Sequence, residues 1–241
     1  MDKGVGFNRN IKLEWLDAAA SFCLEWDDEQ EIRSRLEPVL AQEVRSPTNL
    51  RKTIAILINI WHKSASSNLV LHQAALDFYR STQVVSDRVW LHYGMVMLAY
   101  PFFYHGTAVI GRLSRYEDPL TAPTIRNQLF AELGQLGSLG EATNRIVYSL
   151  RDWGVLLPAQ ERNHYIAQRQ AFSSSQLDLE AWLLACALEI HPVEELPFVD
   201  LLHLPALFPF RFSITLDSLR SYNLFEIQRQ GLGLNMVRIA K

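Results

Sequence analysis

The residues best suited to chemistry lie between Glu141 and Trp153, in the segment EATNRIVYSLRDW. Ile146, Leu150 and Trp153 recur at i, i+4 and i+7, which is the spacing of one apolar face of a helix. That phase sets Thr143, Asn144, Arg145, Tyr148, Ser149 and Arg151 on the opposite side. Arginine can fork onto guanine and asparagine onto adenine, while Tyr, Ser and Thr hydroxyls hold phosphate. Arg162, Asn163 and His164 follow in a polar turn suited to a sugar–phosphate backbone. The chemistry these types and spacings imply is recognition of duplex DNA, not the making or breaking of bonds.

The search for catalytic patterns is negative. The chain has no G-x-S-x-G elbow, no Walker loop, no H-E-x-x-H and no run of Asp, Glu and His at metal-ligand spacing. Gly134, Gly137 and Gly140 make no dinucleotide fingerprint, because no strand precedes them and no βαβ unit follows. His62, His72, His92, His105, His164, His191 and His203 are scattered, and a lone histidine on a helical face is ordinarily a hydrogen-bonded core or rim residue. The expectation is a non-catalytic protein with no metal and no cofactor. Cys23 and Cys186 both fall in apolar helical patterns and read as reduced core thiols.

Composition narrows the class of partner. The 241 residues are 49% hydrophobic and 20% charged, enough apolar content to bury a core. A formal net charge of −3 excludes the strongly basic kind of nucleic-acid binder and leaves room only for a local basic face. No Asp, Glu, Lys or Arg occurs from Val89 to Gly111, a run long enough to span a bilayer. Pro101, His92, His105 and three tyrosines argue against a span, so the expectation is two buried helices meeting at Pro101. With no secretory signal at the start, the chain reads as cytoplasmic, without a membrane partner.

The elements that must position the polar helix divide the chain in three. Residues 1–9 read as a polar arm, and residues 1–118 as an all-α helical domain. Helical stripes run through Leu13, Leu16, Ala20, Cys23 and Leu24, then Ile32, Leu36 and Leu40, then Leu50, Ile54, Leu57, Ile58 and Trp61. Asp27-Asp28 and Ser46-Pro47 are start signals, and further helices are expected at about 67–82, 86–100 and 105–116. Trp15, Trp26, Trp61, Trp90, Tyr100, Phe102 and Phe103 fall at helical spacings and read as core. No strand period occurs before residue 155.

Residues 119–170 read as a winged helix-turn-helix. Thr121 caps a helix through Ile125, Leu129 and Leu133, GQLGSLG at 134–140 is the turn, and the polar helix follows to Trp153. Gly154 then closes it, and Val155–Leu157 and Tyr165–Ala167 form a hairpin with its tip near Arg162. This segment holds five basic and four acidic residues, a weak positive surplus.

Residues 171–241 read as a C-terminal α+β unit, a second and degenerate winged-helix-like arrangement. It has helices at about Leu177–Ile190 and Val193–Leu204, strands at 210–212 and 224–227, and a short helix capped by Thr215. The acidic run 171–204 has six carboxylates and no Lys or Arg, and reads as a solvated face. The fold class is thus mainly α, an N-terminal helical bundle followed by one clear and one degenerate winged-helix unit.

The order of parts resembles the BrxA family of BREX phage-defence systems. The likeness is carried by LEWLDAAASFCLEWDDEQEIRSRL, by NLRKTIAILINIW, and by LTAPTIRNQLFAELGQLGSLGEATNRIVYSLRDWGVL, and covers roughly residues 10–160. It implies a DNA-binding accessory factor in antiviral defence, working with protein partners and bringing no catalytic residues. Three rivals stay open: a protein–protein scaffold built on the same winged helices, an enzyme of unrecognised type, and a membrane protein.

Overall fold

The computed structural model describes residues 6–66, 68–82, 84–134, 137–231 and 233–240. The first 118 residues form helices α1 (Leu13–Glu25), α2 (Glu29–Ala41), α3 (Pro47–Trp61), α4 (Leu69–Ser81), α5 (Val85–Ala99) and α6 (Pro101–Leu113). Their boundaries follow local chemistry. Asp28 accepts the Glu31 N–H at 2.9 Å and Asn68 the Leu71 N–H at 3.1 Å, each satisfying a donor that the first helical turn leaves free. Ser46 caps α3 in the same way, with Pro47 at the first helical position. The sixth helix starts at Pro101 and not at the expected 105, because a proline at the first position has no N–H to lose.

The charge-free run 89–111 is the centre of the core. Trp90, Leu91, Tyr93, Met95, Val96, Met97, Phe103, Val109 and Ile110 are all buried. No described helix is long and apolar enough to cross a membrane. Of the aromatics expected in the core, Trp26 stays half-buried beneath the Arg35 guanidinium, 3.6 Å from its ring. The others are buried. Within the expected arm, Phe7 is anchored. Phe7 is fully buried, with its ring 5.5 Å from that of Tyr100 and 5.6 Å from that of Phe103.

The next stretch runs β1 (Leu120–Thr121), α7 (Ala122–Leu133), α8 (Leu139–Asp152), β2 (Leu156–Pro158) and β3 (His164–Ala167). Thr121 caps α7 through the Thr124 N–H at 3.2 Å. Gly134 and Gly154 both take positive φ, 81° and 73°, where a side chain would be strained. Part of the expected 134–140 turn, residues 135–136, lies outside the described residues. The hairpin pairs Leu156 with Ala167 and Pro158 with Tyr165. β1 lies along the other side of β3, giving the order β1-β3-β2. Nothing in the sequence announces this strand, since two residues are too few to display a period of two.

The last stretch contains β4 (Phe172–Ser173), α9 (Leu177–Ile190), β5 (Glu195–Pro197), α10 (Phe198–Leu202), a 3₁₀ turn at Pro205–Leu207, β6 (Phe210–Arg211), α11 (Leu216–Leu219), β7 (Phe225–Gln230) and β8 (Leu234–Ile239). The expected helix 193–204 is instead a strand followed by a five-residue helix. Pro197 cannot donate inside a helix, and its segment pairs with β8. The sheet order β5-β8-β7 matches that of β1-β3-β2 in placing the second hairpin strand in the middle, although α10, the 3₁₀ turn, β6 and α11 stand between β5 and the hairpin.

A single buried apolar cluster includes residues from all three stretches. α5 packs on α9, and α6 packs on the 205–207 turn. The Trp182 indole donates to Leu71 O at 2.9 Å, and the Tyr93 hydroxyl to Ala206 O at 2.6 Å.

Candidate nucleic-acid interface

Helix α8 is buried along more of its circumference than its apolar residues alone imply. Leu139, Ala142, Thr143, Ile146, Val147, Ser149 and Leu150 are all buried. Thr143 and Ser149 therefore do not join a solvent-facing site. Thr143 lies three residues before Ile146 on the same face, and its hydroxyl donates to Leu139 O at 2.8 Å. Ser149 is covered by the chain just before α1: its Oγ accepts the Ile11 N–H at 2.9 Å, and the Trp153 indole donates to Ile11 O at 2.8 Å. The six-residue polar side shrinks to a narrow strip.

That strip holds Asn144, Arg145, Tyr148 and Arg151, flanked by Glu141 and Asp152. Arg145 contacts Glu141 at 3.2 Å, one turn away. Arg151 contacts Asp152 at 3.0 Å and lies 5.4 Å from the Tyr148 ring centre. Asp152 also accepts from Asn10 at 2.8 Å, tying the chain before α1 to the end of α8. Two cations and two anions leave the strip formally neutral.

The hairpin adjoins this strip. Strand β2 packs on α8, and burial raises the pKa of the Tyr165 phenol on β3, with Tyr148 adding to the rise and Arg151 opposing it. At its tip Arg162 and Asn163 are exposed, and Asn163 closes the turn at φ 63°. His164 sits 3.3 Å from Glu161, and its Nδ1 is 3.1 Å from Arg162 O. Sequence reasoning passed over Arg126 of α7. An added methyl at Gly140 would lie 3.3 Å from its Cδ, so it flanks the start of α8. That neighbourhood depends on how two helices cross, which no spacing within one of them encodes.

The other concentration of titratable groups joins α1, α3, α4 and α5. His92 is fully buried, its Nε2 3.0 Å from Asp17 Oδ1 and its ring edge-on to Trp61 at 5.4 Å. Arg88 reaches the other carboxylate oxygen at 3.3 Å, and the Tyr79 hydroxyl donates to Asp17 O at 3.0 Å. Burial pushes the His92 pKa below its usual value, and the hydrogen bond and charge of Asp17 only partly oppose this. Burial pushes Asp17 up, but its contacts with His92 and Arg88 outweigh that and hold it low. The consistent state at neutral pH is a neutral His92 donating to an ionised Asp17, with Arg88 as the balancing cation.

A histidine whose folded pKa lies below the unfolded value of about 6.5 contributes stability above that pH and loses it as pH falls toward the folded pKa. The melting temperature should therefore drop between about pH 7 and pH 5. In His92→Gln, which keeps a donor for Asp17 but cannot titrate there, the drop should be shallower. Parallel slopes for the two proteins in a pH series of thermal melts would remove His92 as the source.

Burial also drives the Cys23 thiol up to about 12, and raises that of the wholly buried Cys186, so neither is a ready nucleophile. Among the described residues, no group of three or more His, Cys, Asp or Glu side chains could hold a metal ion. The chain matches no family model, no curated protein and no solved structure.

Proposed function

We propose that residues 119–170, from β1 to the hairpin of β2 and β3, form a winged helix-turn-helix and that the protein is a non-catalytic, cytoplasmic DNA-binding factor. In this reading it serves with protein partners in a BREX-like phage-defence assembly, as the likeness to BrxA implies. The observation that carries the DNA reading is the order strand, helix, helix, hairpin with strands β1-β3-β2, in which α8 packs against β2 of the hairpin. Asn144 and Arg145 are the base-reading residues, Tyr148 and Arg151 hold phosphate, and Arg162, Asn163 and His164 lie along the backbone. Thr143 and Ser149 support the helix from inside. The order β5-β8-β7 supports the second, degenerate unit in the same way.

The ion pairs on α8 do not forbid this role. Exposed pairs are worth about 0–1 kcal/mol, so phosphate or guanine can displace Glu141 and Asp152 from the arginines. They do make binding modest and salt-sensitive. Arg145→Ala is expected to cost about 1–3 kcal/mol on a preferred site, while Arg162→Ala weakens all sequences alike and reduces the salt slope by about one. The measurement is a salt titration on random and selected duplexes, with wild type beside both variants. A second reading, an adaptor gripping protein through the same helix, is favoured by the formal neutrality of the strip. Variants indistinguishable from wild type at every salt concentration would put the adaptor ahead.

A further inference from the structure

A cleft of about 690 Å³ opens between the start of α4, the end of α9 and strand β8. Its apolar lining includes Val70, Leu71, Leu188, Leu224 and Ile239. Apolar surface continues out of it: Val70 is 63% exposed and its neighbour Leu69 is 67% exposed, at the first turn of α4. Val193, 46% exposed, stands next to the cleft residue Glu194. Isolated exposed apolar residues need no explanation, but several around an apolar cleft mark a binding surface.

The rim is acidic. Glu189 and Glu194 line the cleft, and Arg238, the one guanidinium among the described lining residues, donates from Nε to Glu226 at 2.8 Å, with Glu195 also close enough to act on it. Glu194, Glu195 and Glu226 all act on Arg238, and three of the carboxylates at or beside the cleft, Glu189, Glu194 and Glu195, come from segment 171–204, which has no Lys or Arg. His191 adds no positive charge near neutral pH, since burial lowers its pKa. A field of this sign repels phosphate and carboxylate ligands and attracts cations.

We infer that this cleft seats a cationic amphipathic segment of a partner protein, with apolar side chains on the floor between α4 and β8 and Lys or Arg on the glutamate rim. The arrangement is the helix-in-groove mode, in which apolar anchors supply affinity and complementary charge supplies orientation and on-rate. It stands apart from the α8 surface and does not depend on the DNA reading.

The probe is a labelled leucine–lysine peptide patterned as an amphipathic helix, titrated against the full-length protein by fluorescence anisotropy. Saturable binding is expected, with no binding of the peptide in which glutamate replaces lysine. The double variant Glu189→Lys/Glu194→Lys should weaken binding by about tenfold or more. Val70→Asp should weaken it to a similar degree although it adds negative charge, whereas binding by charge alone would tighten. Arg145→Ala should bind the peptide like wild type. The inference fails if wild type does not saturate, if a scrambled peptide of equal charge binds as tightly, or if Val70→Asp binds as well as wild type. It also fails if sedimentation shows a concentration-dependent dimer that Val70→Asp abolishes, since a second copy of the chain would then be the occupant.

Discussion

Replacing Glu180 by alanine is expected to destabilise the fold by about 3–5 kcal/mol, among the largest effects of any single truncation. Glu180 lies in α9 and is fully buried. Its Oε2 accepts the backbone N–H groups of Ser213 and Ile214 at 2.7 and 2.8 Å, and Oε1 accepts the Ser213 hydroxyl at 2.8 Å. The carboxylate thereby fixes the chain between β6 and α11 to the central helix. Alanine would strand two backbone donors and a hydroxyl, and each unsatisfied buried polar group costs about 1–3 kcal/mol. Glutamine keeps one acceptor oxygen of the same reach and should cost about 1–2 kcal/mol. Urea unfolding of both variants measures this. An alanine variant as stable as the glutamine one would show that water replaces the carboxylate.

The Glu180 network also shows where the sequence is readable and where it is not. The acidic run 171–204 reads as a solvated face, yet one of its carboxylates is among the most buried polar groups in the molecule. The segment LDLEAWLLACALEI carries the reason: from Leu179 to Leu188 its residues are buried on every side. A helix that is apolar all round sits inside a protein, so an acid within it must find donors. The donors themselves lie 33 and 34 residues away, and nothing in the spacing announces them.

Long periodic elements with chemical caps were legible. The starts of α2 and α3 at Asp28 and Ser46, the helix pair α7–α8, the glycine closure at Gly154 and the hairpin near Arg162 all follow from local rules. Two-residue strands such as β1 and the division at Pro197 depend on distant pairing partners and were not. The candidate site was half legible for the same reason. The phase of Ile146, Leu150 and Trp153 turns Asn144, Arg145 and Tyr148 outward, but the cover over Ser149 comes from residues 10 and 11, 139 and 138 positions away. The polar composition of residues 1–9 masks the anchor Phe7.

Gly111→Ala should reverse the usual sign of a glycine substitution in a helix. Inside an exposed helix, alanine is better than glycine by about 1 kcal/mol. Gly111 is in α6, with a φ that alanine adopts freely, so backbone preference alone favours the change. The contact decides otherwise. A methyl group there would sit 1.9 Å from Pro205 O, 2.8 Å from Pro205 C and 3.1 Å from Phe208 Cδ1. The obstructing atoms are backbone, and that backbone is held on several sides. Phe208 N–H donates to Pro205 O at 3.2 Å, the Tyr93 hydroxyl to Ala206 O at 2.6 Å, and Arg169 to the carbonyl of Gly111 itself at 3.0 Å. Relief requires α6 to move off the 205–207 turn, opening the junction between the N-terminal helices and the C-terminal stretch. The expected cost is about 3 kcal/mol or more, at the upper end for overpacking. Gly140→Ala supplies the control, because its methyl would meet only the Cδ of the long Arg126 side chain at 3.3 Å, which can move aside. Gly140→Ala should be neutral or stabilising while Gly111→Ala lowers the urea midpoint sharply. Equal midpoints for the two would mean that α6 and the 205–207 turn have room to separate, and that the junction is looser than their backbone contact implies.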